Sequence, residues 1–292
     1  MSEYYWDSQI EYLRNTRSLY YNDDYLDFLV QKVWKINKPV KIIDFGCGYG
    51  FLGLKLLPLL PEGSFYTGID KGKELIRHAK ELHANLPYPT EFIVADIEEV
   101  NIDCKYDIAM SHAFLLHMNE PVSVLKKMIQ SVVQDGKIIC FEPHWIANMA
   151  NYRFDKLDQS KVIQLGVLEK LFEEDTKQTG KDGNIGMKVP ILLSQLGVKN
   201  VECRVSDKVN FLDQNMEALN KKKLYLSLKE EGIGQVPGDK DGVLNSLATR
   251  GLTREEAEKQ YEAELLLSQE FSEKSWLTYA PNMKITFGTI RR

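Results

Sequence analysis

Asp44, Gly46, Gly48 and Gly50 stand at every second position of the stretch VKIIDFGCGYG, residues 40–50 of the 292. Val40, Ile42, Ile43 and Phe45 form a short apolar run rich in β-branched side chains, the pattern of a buried parallel strand. The run stops at Gly46. Glycine tolerates positive φ and lets a ligand approach bare backbone. Phe51, Leu52, Leu54, Leu56 and Leu57 then open a helix whose N-terminal amides face whatever sits above the loop. Asp44 places a carboxylate at the C-terminal end of the strand. A carboxylate repels a pyrophosphate and attracts an ammonium or sulfonium, so Asp44, Gly46, Cys47, Gly48 and Gly50 predict a site for a cationic, nucleotide-like cofactor.

The other chemistry-bearing residues follow predicted strands. Asp70 comes after a strand at 65–69, about 20 residues beyond the glycines, where an acid meets a ribose diol. Lys71 is next, either the solvated start of the helix 72–85 or an adenine contact. Asp96 and Ile97 follow a strand at 92–95. A fourth strand, 106–110, leads into Ser111, His112 and the pair Leu116-His117. A helix from Glu120-Pro121, pinned by Val124, Leu125 and Met128, turns back at Asp135-Gly136 into a fifth strand, 137–141, followed by Glu142, Pro143 and His144. In an open parallel sheet, ligands sit beyond the C-terminal strand ends, so these residues imply one pocket. A histidine titrates near neutrality and can take a proton from an acceptor. His117 and then His144 are the candidate general bases, against the alternative that positioning alone suffices and no base is needed; His78 and His83 are expected on the solvated face of the second helix.

Asp44-x-Gly46-x-Gly48-x-Gly50 resembles the first motif of the class I S-adenosylmethionine-dependent methyltransferases. Asp96-Ile97 is similar to that family's adenine pocket, and YDIAMS (106–111) with Leu116-His117 looks like its fourth motif, which lines the methionine end of the cofactor, at Ser111 and His112. The resemblance implies a doubly wound α/β fold with a seven-stranded sheet in the order 3-2-1-4-5-7-6, only the last strand, 283–290, antiparallel. It also implies S-adenosyl-L-methionine as cofactor, S-adenosyl-L-homocysteine as product, and in-line methyl transfer to an O, N or C atom of a small-molecule acceptor. A second match lies in the same residues: Gly48-Tyr-Gly50-Phe-Leu-Gly53 spells the dinucleotide fingerprint GxGxxG, weak when alone. It keeps an NAD(P)-dependent oxidoreductase in view, and a non-catalytic S-adenosylmethionine-binding protein is a third reading. NAD enzymes do not regularly place an acid where Asp96 stands.

These strands and helices define a core at 40–206 plus 282–292. Ahead of it, residues 1–39 carry an aromatic cluster (Tyr4, Tyr5, Trp6, Tyr12, Tyr20, Tyr21) and an amphipathic helix, 23–36, N-capped by Asn22. This segment is either a brace under the sheet or a lid over the cofactor, with Tyr20 or Tyr21 as the lid residues. Helices are predicted at 157–178 and 187–196, the second ending at Gly197, before a sixth strand at 198–205. Residues 207–281 separate the last two strands. They hold two or three helices, a Gly/Pro-rich loop at 232–242 and a capping box at Thr253 and Glu256. So long an insertion is expected to be a helical cap over the acceptor, or else a dimerisation element or plain bulk.

Composition sets the outer bounds. Lys+Arg 37 against Asp+Glu 42 gives a net charge of −5, which argues against a nucleic-acid partner. Cys47, Cys104, Cys140 and Cys203 form no CxxC, so neither a disulfide framework nor a metal site is expected. The N-terminus lacks the pattern of a signal peptide, and no apolar run reaches the ~18 residues of a membrane span. A cytoplasmic protein is expected.

Overall fold

In the computed structural model, residues 4–103 and 105–292 are described; Cys104 and the first three residues of the N-terminal segment lie outside them. Among the described residues ten strands form: β1 (Lys41–Phe45), β2 (Phe65–Asp70), β3 (Thr90–Val94), β4 (Tyr106–His112), β5 (Val132–Pro143), β6 (Tyr152–Phe154), β7 (Lys199–Val205), β8 (Asn210–Leu212), β9 (Leu277–Tyr279) and β10 (Met283–Thr289). Seven of them make the main sheet in the order β3-β2-β1-β4-β5-β10-β7. β10 runs antiparallel to both β5 and β7, and the β1–β2, β1–β4, β2–β3 and β4–β5 pairings are parallel. This is the predicted order and polarity.

Both faces of the sheet are covered, which explains the unbroken apolar reading of β1. Ile42 packs into one layer with Trp34, Leu52 and Tyr66. Ile43 and Phe45 face the opposite layer, with Leu125, Met128 and Leu193. Helices of the first layer include α1 (Ile10–Arg17), α2 (Asp23–Phe28), α3 (Phe51–Leu56) and α4 (Lys73–His83), which bring Leu13, Leu26, Leu52 and Leu75; α5 (Pro121–Ser131) brings Leu125 and Met128 to the second.

Several local expectations change. The helix after Asn22 is α-helical only through Phe28 and continues as a π-helical turn at Leu29–Val33. Asn22 makes no side-chain cap; its carboxamide donates to Asp207 at 2.6 Å. Asp135-Gly136 does not break the chain between helix and strand, because β5 already begins at Val132 and Asp135 takes a φ of 61° inside it. His83 is buried against Tyr66 and Phe92 rather than solvated, and its Nδ1 lies 2.8 Å from the Ala79 carbonyl. The helix read at 157–178 is two, α7 (Gln159–Val162) and α8 (Leu165–Thr179), which follow α6 (Trp145–Ala150); α9 (Val189–Gln195) comes next.

The insertion forms three helices, α10 (Ala218–Glu230), α11 (Lys240–Thr249) and α12 (Arg254–Glu270), the last with both hydrogen bonds of the Thr253/Glu256 capping box. A second sheet, β6-β9-β8, in which Leu212 lies opposite Leu277, was not expected. The insertion fastens the N-terminal segment: Glu231 takes the Tyr20 hydroxyl, Asn210 donates to the Leu19 carbonyl at 2.9 Å, and Lys208 donates to that of Ser18 at 2.6 Å. Tyr20 is therefore buried in this junction.

Candidate cofactor and acceptor site

The glycine loop is built by backbone hydrogen bonds. The amides of Gly46 and Cys47 both donate to the Ile69 carbonyl, at 2.9 and 3.0 Å, and the Gly50 amide closes a turn on the Cys47 carbonyl at 2.9 Å. Gly46 has a φ of 69°, and a Cβ there would lie 2.1 Å from the Phe114 ring. Gly48, at φ 55°, has no atom within 4 Å of the corresponding position, so its backbone is open to a ligand.

Above the loop lies a cavity of about 260 Å³. The end of β1 and its loop contribute Asp44, Gly46, Cys47 and Gly48 to its wall. Asp70 and Lys71 come from the end of β2, Asp96 and Ile97 from beyond β3, and His112 and His117 from β4 and the turn after it. Ten of the residues singled out from sequence are thus brought together. Gly50 is off the wall, as the left-handed N-cap of α3. Ser111 is buried behind it, and Tyr21 borders a neighbouring recess of about 170 Å³ while hydrogen-bonding His112 Nε2 at 3.2 Å. His144 is also off the wall: it precedes α6, half-buried, and its amide donates to the Asn282 carbonyl at 3.1 Å.

Other wall residues were not singled out as site residues from the sequence, although Tyr4 and Trp6 belong to the aromatic cluster read there. Tyr4, Trp6, Leu13 and Arg17 reach the cavity from the N-terminal segment, Phe114, Met118 and Asn119 from beyond β4, and Lys181 from the loop after α8. The Trp6 and His117 rings pack 5.0 Å apart. The N-terminal segment therefore covers this cavity through Tyr4 and Trp6, not Tyr20 or Tyr21. No residue of the insertion lines it; Lys208 reaches only the recess, which shares Arg17 and Phe51 with the cavity.

The electrostatics centre on buried carboxyls. Asp44 Oδ2 accepts the Tyr66 hydroxyl at 2.5 Å, whereas Oδ1 is buried with no hydrogen-bond partner. Burial pushes this carboxyl up to about 8, against the Tyr66 bond. Asp70 accepts the amides of Gly48 and Gly72, at 2.9 and 2.8 Å, and burial raises it as well. Glu142 sits behind the wall, where its Oε1 accepts Ser111 Oγ at 2.8 Å and the amides of Leu115 and Phe114 at 3.2 and 3.4 Å. It is pushed up to about 7 by burial, and it fixes the turn that carries Phe114 and His117. Burial, then the charges of Arg17, Lys181 and Lys71, push the His117 imidazole down to about 4. His112 is held neutral by its burial.

Comparison with known proteins adds an independent finding. Residues 36–185, just over half of the chain, match the family profile described as a methyltransferase domain. The malonyl-[acyl-carrier protein] O-methyltransferase of Acetivibrio thermocellus is 34% identical over 97 residues, 32% of each chain. The ubiquinone biosynthesis O-methyltransferase of Yersinia enterocolitica is 30% identical over 117 residues, 39% of this chain and 46% of that one. The chain thus spans less than half the length of these relatives. Among solved structures, the YcgJ protein of Bacillus subtilis aligns over 92% of this chain and 99% of its own, with a TM-score of 0.53 and 12% identity. The Haemonchus contortus phosphoethanolamine N-methyltransferase 2, solved with phosphomonomethylethanolamine and S-adenosylhomocysteine, aligns over 98% of this chain and 59% of its own, with a TM-score of 0.52 and 11% identity. At such identity the likeness is one of fold.

Proposed function

Because this chain belongs to the methyltransferase-domain family, we propose that it moves the methyl group of S-adenosylmethionine onto an O, N or C atom of a small-molecule acceptor. The observation that carries this reading is the buried, unpartnered Asp44 Oδ1 beside the open backbone of Gly48. A carboxyl without a counter-charge is costly in such a place, and an ammonium or sulfonium supplies what it lacks. The wall fits the cofactor's other parts as well. Asp70 suits a ribose diol, Asp96 and Ile97 suit an adenine, and Arg17 suits the methionine carboxylate, since its charge reaches Tyr49 and His112 at that end of the cavity.

When bound, the cofactor supplies a sulfonium-activated methyl that leaves as thioether sulfur accepts the bonding pair. The chain's contribution is positioning and dryness. Trp6 and Tyr4 close the cavity from the N-terminal side, and Glu142 holds the 114–117 turn against it. For an O–H or N–H acceptor, His117 is on the wall and uncharged at neutral pH, free to take the proton, but its lowered pKa, unlike the near-neutral titration expected from sequence, makes it a weaker proton acceptor than a free imidazole. His144 would need to move to do so.

Mass spectrometry of the purified protein for S-adenosylhomocysteine, followed by calorimetric titration with it, tests the cofactor. Transfer of labelled methyl into metabolite pools then tests turnover. Absence of any binding would sink the reading; binding without transfer to any pool would leave a non-catalytic binding protein in its place.

A further inference from the structure

We propose that Lys181 and Asn119 form a seat for an oxyanion, so that the methyl acceptor is a small molecule with an apolar body and a carboxylate or phosphate group. This rests on the methyl-transfer reading above.

The cavity's carboxylates follow the order of the sheet. Asp44, Asp70 and Asp96 come from the ends of β1, β2 and β3, on one side. These acids are engaged locally: Asp44 by Tyr66, Asp70 by two amides, Asp96 by the Glu98 amide at 2.9 Å. Arg17 and Lys181 reach the wall on the other side, where β4 delivers His117. Among the described residues neither has an ion-pair partner. Lys71, the third cation, lies 5.0 Å from the Tyr4 ring centroid.

The cofactor brings one carboxylate, which occupies one cation. With Arg17 at the methionine end, Lys181 is left facing the acceptor. Its position is built rather than incidental. Gly180 ends α8 at φ 75°, and a Cβ there would lie 3.1 Å from the Asn119 carbonyl oxygen, so the loop seats directly on Asn119. Beyond Lys181, Asp182 accepts the Asn184 amide at 2.8 Å and pairs with Lys188 at 2.6 Å, and the Gly183 carbonyl accepts the Trp145 amide at 3.1 Å. The Asn119 carboxamide is likewise without a hydrogen-bond partner among the described residues. Both side chains are exposed at the cavity wall, and an ammonium and an amide N–H there offer an oxyanion charge-assisted hydrogen bonds. Trp6, Phe114 and Met118 line the same end and give it an apolar side. The positive field there is already felt by His117, which Lys181 helps to hold uncharged.

The test uses the full chain saturated with S-adenosylhomocysteine and titrated calorimetrically with benzoate, phenyl phosphate and benzamide. At least one of the two anions should bind about tenfold or more tightly than the neutral amide, and the stronger of the two identifies carboxylate or phosphate. Salt should weaken that binding. Lys181→Met should reduce anion affinity about tenfold and leave S-adenosylhomocysteine affinity within about twofold. Equal binding of benzamide, no binding of either anion, or an unchanged anion affinity in Lys181→Met would overturn the seat. If S-adenosylhomocysteine itself fails to bind the unaltered chain, the methyl-transfer reading falls first, and the seat with it.

Discussion

The Trp6 indole lies against the His117 imidazole, ring centroids 5.0 Å apart and planes tilted by 54°. The contact joins the first short turn of the chain to the turn after β4 and closes one side of the cavity. Aromatic pairs of this kind contribute about 0.5–1.5 kcal/mol. Trp6→Ala should therefore lower the melting temperature by only a few degrees and, by uncovering the cavity, weaken S-adenosylhomocysteine binding by roughly 2- to 10-fold. Calorimetry beside a thermal scan checks both. Unaltered affinity would make the N-terminal segment a brace without a role as a lid.

Asp44 predicts a proton count. In the empty site its carboxyl is pushed up to about 8, so it carries a proton near neutrality. A cationic ligand favours the ionised form, and binding must release that proton. Affinity for S-adenosylhomocysteine should accordingly rise with pH and level off above about 8. Titrations at neutral pH in buffers of different ionisation enthalpy should show release of a fraction of one proton. Asp44→Asn should abolish the release and weaken binding about 10- to 100-fold. Binding without proton release in the unaltered chain would remove Asp44 from the cofactor's cationic end.

Stability should fall as pH rises. Glu142 and Glu231 are pushed up to about 7 by burial, and Asp44 to about 8. Each holds its proton to higher pH when folded than when unfolded. Between their ordinary carboxyl range and these raised values the folded state binds more protons, so stability present at acid pH is lost as pH climbs. The melting temperature of the ligand-free protein should drop between about pH 5 and pH 8. Glu142→Gln should lessen the drop: it keeps the acceptor at Oε1 and puts an amide at Oε2, which has no partner. A melting temperature that is flat or rising over this interval would contradict the proposed ionisation states.

The two central glycines should respond differently. Gly46→Ala drives a Cβ to within 2.1 Å of the Phe114 ring and should unfold or grossly destabilise the protein. Gly48→Ala meets no atom within 4 Å, so its cost is the left-handed backbone alone, ~1–2 kcal/mol. That variant should fold, with a slightly lower urea midpoint, and bind S-adenosylhomocysteine poorly. Normal binding in it would show that no ligand approaches the Gly48 backbone.

Much of this arrangement was legible in the chain. β1, β2, β4 and β5 announced themselves as apolar runs because helices cover both faces of the sheet, and Asp44, Asp70 and Asp96 could be placed because each follows or ends such a run. Strands of three residues, such as Leu277–Tyr279, are too short to show a period. Arg17 and Lys181 went unread for a different reason. Each looks like an ordinary surface cation, and only the folding of distant segments over one cavity gives them a common neighbour in His117. His83 misled because its neighbours are polar along the helix, while its own position faces Tyr66 and Phe92.

The pairing of Leu212 with Leu277 sets the boundaries of a separable part. Outward from it, β7 and β10 are also antiparallel partners, so the whole stretch from 199 to 289 is, in outline, one long interrupted hairpin with α10, α11 and α12 at its tip. Closing a loop costs only ~0.6 kcal/mol more for each doubling of its length. The exposed loops that join these helices can therefore change length at little entropic cost. What constrains the helices themselves is their packing: Leu228, Leu267 and Phe271 enter the main core, Leu244 and Leu247 meet Leu171 of α8, and Lys208, Asn210 and Glu231 hold Ser18, Leu19 and Tyr20, so divergence is confined to the exposed connections between them.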